Sequence, residues 1–385
     1  MRRSSSAETT KGTFVARSGK SERQGEVGVT AEPGVTFVIP VRNGADWLDR
    51  VLRAALDQAD GRPFEIIAVE DGSTDESPEI LATYQARGLL RIVNGPGRGA
   101  AAALNTGIRE ARHPVVCQID QDVILEPGWM LRLLDALRDP DVAAAQGYYV
   151  TSPDASIWAR VMGLDLALRY HRILGRDVDH VCTGNTAYWA EALHAVGLFD
   201  ECLGYGYDND ISYRLVRAGH RLVIDDRARS VHCWRDNCLT YLVQQYGFGY
   251  GRLDLVAKHR RRVGGDDVSG TVMMLHAPLM ALALALLAIA TMQGVLGTPP
   301  TILVLAATVV LSTLVLERTV AGIRAAMEFN DSAGLFFAPV HLVRDVAWAL
   351  ALGMWLTRWL SGGTGRPHDS MRPRTAAGAA GDRRS

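Results

Sequence analysis

From Val272 to Leu296 the chain reads VMMLHAPLMALALALLAIATMQGVL, with no Asp, Glu, Lys or Arg. A helix of roughly 20 apolar residues spans the hydrocarbon core of a bilayer. Lipid offers no partner for backbone N–H and C=O groups, so such a run must satisfy them internally as a helix. Gly297-Thr298-Pro299-Pro300 closes it, a second uncharged run occupies 299–316, and the two read as a membrane hairpin. A third apolar run, 335–360, is interrupted by His341, Arg344, Asp345 and Arg358, which leaves spanning, re-entry and interfacial placement all open. Lys258, Arg260, Arg261 and Arg262 precede the first span, Arg318 and Arg324 follow the second, and the connecting loop is uncharged. The excess of cations on one side places the large soluble part in the cytoplasm of a multi-pass inner (cell) membrane protein. A spanning third run would carry the basic tail (Arg366, Arg372, Arg374, Arg383, Arg384) outside, which favours an even number of spans or a non-spanning third segment.

The rest of the chain divides by composition. Residues 1–34, rich in Ser, Thr, Gly, Lys, Arg and Glu and without the apolar run of a signal peptide, read as a disordered tail. Residues 361–385 read as a disordered basic tail, 263–360 as the membrane region (helices over 272–296 and 299–316 plus the segment 335–360), and 35–262 as one soluble domain. A net charge of −1 gives no broad positive field, so nucleic acid is not an expected partner. Five cysteines form no CxxC pair and are odd in number, which suggests neither a zinc knuckle nor a complete disulfide framework.

Strand and helix signals alternate in 35–262. Val35 to Ile39 is a β-rich run stopped by Pro40, and Ala45 to Ala59 has apolar residues at helical spacing. A strand from Phe64 to Val69 runs into Glu70-Asp71-Gly72-Ser73-Thr74-Asp75, followed by a helix near Pro78 to Ala86. Leu89 to Val93 is a third strand, a glycine turn leads to the helix Ala100 to Ala111, and a fourth strand, Pro114 to Ile119, ends on Asp120-Gln121-Asp122. The order implies an α/β domain with a mainly parallel central sheet, whose ligands sit outside the carboxyl ends of the strands. The acidic residues fall at those ends.

Asp71 can face that crevice and accept hydrogen bonds from a nucleobase, or simply serve its turn. Gly95-Pro96-Gly97-Arg98-Gly99 lies between a strand and a helix, where free amides favour phosphate; with Asp120 about twenty residues on, it also matches a dinucleotide-binding fingerprint. Asp120 and Asp122 alternate around Gln121, so an extended backbone points both carboxylates to one side, where they suit Mg2+ or Mn2+ shared with a diphosphate; an acidic turn capping the next helix is the competing reading. Asp208 opens an apolar-periodic helix (Ile211, Leu215, Ala218) that stops at Gly219, which fits a helix cap as well as a reactive carboxylate.

The ordered set Val38-Ile39-Pro40 with Asn43, Val69-Glu70-Asp71-Gly72-Ser73-Thr74-Asp75, Asn94-Gly95 to Ala103-Leu104-Asn105-Thr106-Gly107, and Asp120-Gln121-Asp122 resembles a family 2 glycosyltransferase of the GT-A fold. Thr183-Gly184-Asn185-Thr186-Ala187-Tyr188 and Val196-Gly197-Leu198-Phe199-Asp200-Glu201 are similar to that family's acceptor-side segment. The resemblance implies a nucleotide-sugar site of Pro40, Asn43, Glu70, Asp71, Gly97, Arg98, Asn105 and Asp120. It implies a divalent metal at Asp122 with His232, and acceptor-side residues Gly184, Asn185 and Asp210. The family's Glu-Asp-x-Asp-Leu-x-x-Arg pattern corresponds to Tyr207-Asp208-Asn209-Asp210-Ile211-Ser212-Tyr213-Arg214, which makes Asp208 the general base with Tyr207 in place of the usual Glu. Gln244-Gln245-Tyr246-Gly247-Phe248 departs from the Gln-x-x-Arg-Trp motif of polymer synthases and argues against processive synthesis; the stretch to Gly251 reads as an interfacial helix, a lid or ordinary packing.

The expected protein is therefore a metal-dependent, membrane-anchored, inverting glycosyltransferase, taking a nucleotide-sugar donor and a lipid-linked, glycan or peptide-derived acceptor, with membrane lipid as a further partner. The alternatives are an NAD(P)-dependent oxidoreductase built on the Gly95–Gly99 turn, and a non-catalytic membrane protein that keeps the fold.

Overall fold

The computed structural model describes residues 32–362. The two tails expected over 1–34 and 361–385 lie outside those residues except for their innermost positions. Along the chain come β1 (Val35–Val41), α1 (Ala45–Leu56), β2 (Phe64–Glu70), α2 (Ser77–Ala86), β3 (Arg91–Asn94), α3 (Ala100–Glu110), β4 (Val115–Ile119), β5 (Val123–Leu125), α4 (Trp129–Ala136), β6 (Val142–Val150), α5 (Ile157–His171), β7 (Asn185–Trp189), α6 (Ala190–Ala195), α7 (Tyr207–Arg217), β8 (Arg221–His232) and α8 (Cys238–Lys258). The strands form one sheet in the order β3-β2-β1-β4-β7-β6-β8-β5.

Strands β3, β2, β1 and β4 are parallel, as their alternation with helices predicts. Beyond β4 the sheet changes character: β7 is antiparallel to both β4 and β6, β8 is parallel to β6, and β5 is antiparallel to β8. The sheet is thus mixed, with four parallel and three antiparallel pairings. Central β1 has no alternating pattern because both faces are covered; Val35, Phe37, Val38, Ile39 and Val41 are fully buried. Helix α1 presents Leu48, Val51, Leu52 and Ala55 to the core, the i, i+3, i+4, i+7 stripe of an amphipathic helix. Pro40 does not stop β1, which continues to Val41 paired with β2. The β4 ladder has ended by Val38, so Pro40 sits where β1 has one neighbour, a place proline tolerates.

Three further helices follow: α9 (Thr271–Val295), α10 (Thr301–Phe329) and α11 (Phe337–Leu360). By length and composition, three helices can cross a membrane. α9 and α10 pair as a hairpin around Met280 and Leu314, with most of their apolar surface outward. The second helix extends well past the apolar stretch ending at 316, and its charged half packs on α5: Arg318 reaches Asp165 (3.4 Å) and Glu328 reaches His171 (2.7 Å).

α11 differs from the other two. In its most apolar window 44% of residues are buried inside the protein, against 17% for each of α9 and α10. The charges that interrupt it are turned inward: Arg344 bonds Asp345 (2.9 Å) and His276 of α9 (2.8 Å), and neither Arg344 nor Asp345 is exposed. Further along, Trp355 Nε1 donates to Asp254 (2.8 Å) and Arg358 to the Tyr250 hydroxyl (2.5 Å), both on α8. The stretch Tyr246 to Gly251 lies within the unbroken α8 as a packing segment. A Cβ at Gly247 would come within 2.3 Å of the Tyr205 ring, which explains the absence of a side chain there.

Candidate active site

The loops leaving β1, β2 and β4 are stitched together at the carboxyl edge of the sheet. Gln121 exchanges two hydrogen bonds with the backbone of Arg42 (2.7 and 2.9 Å). Asn43, in the left-handed region at φ 53°, accepts from the Thr74 N–H (2.7 Å) and donates its own N–H to Ser73 Oγ (3.1 Å). Glu70 folds back on its own turn, accepting from Gly72 (3.2 Å) and Ser73 (2.5 Å) N–H groups.

Asp71 is nearly buried, and its two oxygens accept the N–H groups of Gly97 (2.6 Å) and Gly99 (3.0 Å). The amides expected to cradle phosphate are therefore already bonded to a carboxylate of the same chain. A dinucleotide would meet no free anion site in this turn, which removes the physical basis of the oxidoreductase reading. Arg98 pairs with Glu201 (2.8 Å), and buried Asn105 donates to Glu201 (3.0 Å) and to the Phe199 carbonyl (2.9 Å), tying α3 to the segment before α7. Asn105 thus faces the protein interior.

Asp120 and Asp122 lie in a tight turn, closed by the Val123 N–H donating to the Asp120 carbonyl (3.1 Å), and not in the extended backbone expected from their alternation. The chain must bend there, because β4 is central while β5 joins the far edge beside β8. Their carboxyls still share one environment. Burial, then the charge of Asp122, pushes Asp120 up to about 6, while a hydrogen bond from Gln118 (3.0 Å) and the nearby His232 oppose the shift. Burial likewise raises Asp122. Neither has an ion-pair partner among the described residues. Gly184 packs directly behind Asp120: its carbonyl accepts the Asp120 N–H (3.2 Å), and a Cβ would lie 2.2 Å from Asp120 Oδ2. Asn185 is buried below, accepting from Trp129 Nε1 (2.5 Å).

His232 arrives opposite Val123 in the β5–β8 pairing, and the next N–H, of Cys233, donates to the Asp122 carbonyl (2.9 Å). Its ring stacks on Trp234 (3.8 Å, 6°), and buried Nδ1 has no partner. Burial pulls its pKa down to about 4, so the ring is neutral. Two carboxyls without ion-pair partners and a neutral imidazole with an orphaned nitrogen are donors of the kind a hard divalent cation takes, although among the described residues it is His180, Cys182 and Asp208 whose donor atoms converge within 4.8 Å.

Asp208 is in the first turn of α7, but the cap is Gly206, in the left-handed region at φ 79°, and no side chain caps the helix. Asp208 is therefore not the N-cap residue, although its side chain still meets a first-turn amide. One oxygen accepts the Asn209 N–H (2.9 Å); the other faces His180 Nε2 at 3.5 Å. Burial alone would lower the His180 pKa, yet the Asp208 carboxylate outweighs it and the pKa is raised. Neither ring nitrogen of this buried histidine has a hydrogen-bond partner. Cys182 is close enough for its sulfur to join them in a possible three-ligand group. Its thiol, however, accepts from the Tyr170 hydroxyl (3.0 Å) and is pushed by burial up to about 12, which keeps it protonated and a poor ligand. The negative charge of Asp208 contributes to the raised pKa of Asp120, so the two lie in one electrostatic neighbourhood.

Asp210 sits elsewhere. It is fully buried in an ion cluster with Arg214 (2.7 Å), Lys258 (2.6 Å) and His259 (2.7 Å). Sequence reasoning passed over His180, whose contact with Asp208 joins remote positions; its proximity to the Thr183–Tyr188 segment was the available signal. It also passed over Asp266, which accepts from Asn209 (3.0 Å), Tyr213 (2.7 Å), Arg252 (2.8 Å) and the Ser269 N–H (2.6 Å), and so fixes the helix carrying Asp208.

Comparison with known proteins agrees with this arrangement. A family model described as "Glycosyl transferase family 2" matches residues 36–197. The chain is 30% identical over 251 residues to the succinoglycan biosynthesis protein ExoA of Rhizobium meliloti, covering 59% of this chain and 72% of that one. It is also 30% identical over 249 residues to the pre-mycofactocin glycosyltransferase of Mycobacterium tuberculosis H37Rv, covering 62% of this chain but only 51% of that protein, so it spans about half of that relative. A mannosyltransferase, PcManGT from Pyrobaculum calidifontis, solved in complex with GDP-Man and Mn2+, superposes with a TM-score of 0.55 at 19% identity, over 85% of this chain and 88% of that one. This likeness establishes the GT-A fold.

Proposed function

This chain belongs to glycosyltransferase family 2, and from that premise we propose that it is a membrane-anchored, inverting transferase moving a sugar from a nucleotide-sugar donor to an acceptor hydroxyl with the help of a divalent cation. The observation that supports the reading is that the turn bearing Asp120 and Asp122 lies beside the strand end bearing His232, and that the charge of Asp208 reaches Asp120.

Asp122 and His232, with Asp120 beside them, would hold the cation, which when bound neutralises charge on the diphosphate leaving group. The loops bearing Asn43, Glu70 and Asp71 border the nucleotide side, held rigid by the hydrogen bonds between them. Asp208 takes the acceptor proton as the hydroxyl oxygen bonds to the anomeric carbon and the bond from that carbon to the diphosphate oxygen breaks. Attack from the face opposite the leaving group inverts the centre. Holding both reactants in one crevice supplies much of the remaining acceleration.

The succinoglycan named for one relative makes a glycan hydroxyl the first acceptor to test, alongside lipid-linked and peptide-derived ones. For the anchor, we take α9 and α10 as a spanning hairpin and α11 as a helix docked along α8 at the membrane surface; the bonds from Trp355 and Arg358 to α8 support this. It leaves an even number of spans and both tails on the catalytic side, in keeping with the charge bias.

A thermal-shift screen of nucleotide sugars, with Mn2+ or with chelator, tests the proposal. The fold neighbour's Mn2+ makes that ion the first choice. Stabilisation by one donor only when metal is present is expected. Equal stabilisation with chelator would remove the metal, and no response from any nucleotide sugar would favour a fold that has lost its chemistry.

A further inference from the structure

A groove of about 590 Å3 is lined by Tyr213, Arg214, Arg217, Lys258 and the turn Arg260–Arg262. Its cations divide into two sets. Arg214 and Lys258 are tied to buried Asp210, and Arg262 is tied to Asp179. Arg217, Arg260 and Arg261 are exposed, and none has an acidic partner among the described residues. Uncompensated positive charge thus collects on one wall of a concave surface, which suits a phosphate.

The position of the groove narrows the source of that phosphate. The chain leaves the arginine turn through Gly264, whose carbonyl accepts from Thr271 Oγ1 (3.0 Å), the first residue of α9. The arginines therefore stand where the first spanning helix begins. Two exposed apolar side chains, Val216 and Val263, border them, 36% and 66% exposed. Unpaired cations next to the start of a helix apolar enough to cross a membrane, with exposed apolar neighbours, complement an anionic bilayer surface.

We propose that this groove binds the phosphate of an anionic phospholipid headgroup through Arg217, Arg260 and Arg261. The contact seats α7 on the membrane independently of the sugar-transfer chemistry.

Native mass spectrometry of the full chain in neutral detergent, titrated with phosphatidylglycerol or phosphatidylcholine, tests this. Phosphatidylglycerol should bind roughly 100-fold more tightly than phosphatidylcholine, given the attraction expected of three cations at a surface. The Arg217→Gln/Arg260→Gln/Arg261→Gln variant should lose that preference while keeping its melting temperature, and the corresponding triple lysine variant should retain it. An unchanged preference in the glutamine variant overturns the proposal. Displacement of phosphatidylglycerol by millimolar inorganic phosphate, with the same arginine dependence, overturns the lipid assignment in favour of a soluble phosphate.

Discussion

At the scale of single residues, Asp122 and His180 make different demands on experiment. Asp122→Ala removes a carboxylate that has no ion-pair partner to orphan, so the fold should stand while metal-dependent donor binding is lost. Titration calorimetry of the nucleotide with and without Mn2+ checks this; equal affinities in the variant and the parent would take the metal site away. His180 touches the proposed base without itself meeting substrate, which makes it a positioning residue. His180→Ala should lower kcat about tenfold while donor KM and melting temperature stay at the parent's values. A fall in melting temperature that accounts for the lost activity would reduce His180 to a structural part. Asp208 was legible from its motif, and so was its ambiguity: the cap position falls to Gly206, yet one Asp208 oxygen bonds the first-turn N–H of Asn209. The hydrogen bonds of Asp71 were not legible, since turn amides that look free in a sequence can be bonded to a carboxylate more than twenty residues away.

At the scale of elements, the half of the sheet built by strand–helix alternation was readable nearly to the residue, and the half built by antiparallel return was not. Nothing local distinguishes β5 and β7 from parallel strands, because their direction is set by where the chain must go after β4 ends at the Asp120 turn. Asp266 lies in such an unreadable stretch, yet it gathers α7, α8 and the approach to α9. Asp266→Ala would leave Arg252 largely buried and unpaired, and should cost about 3 kcal/mol by chemical denaturation. Burial alone would raise the Asp266 pKa, but His180, Arg252 and Tyr213 hold it well below the ordinary carboxylate value. Its stabilisation is therefore fully present above about pH 4 and declines as pH falls further. The destabilisation by Asp266→Ala should shrink in acid, and a cost that stays constant down to pH 2 would contradict the ionic account. Gly184→Ala should be as damaging to turnover as to stability, because its Cβ meets Asp120.

At the scale of the whole molecule, the apolar runs pointed to helices long and apolar enough to cross a membrane, while the packing of the third needed the structure. Its charges look like obstacles to insertion until Arg344 and Asp345 are seen closing on His276 and on each other inside the helix cluster. With α11 docked on α8, a cysteine introduced at Thr298 should react with an impermeant maleimide from outside the cell and one at Ser361 only after permeabilisation, in a background lacking the native cysteines. Labelling of the Ser361 position from outside would make α11 a third span. The central claim is that one crevice binds the donor through its acidic turn and activates the acceptor through Asp208. Its most direct test measures, on the same preparation with Mn2+, donor affinity and nucleoside diphosphate released by acceptor-dependent turnover, for the parent and Asp208→Asn. The account predicts donor affinity within about threefold of the parent and turnover lower by roughly 1,000-fold; undiminished turnover in Asp208→Asn would contradict it.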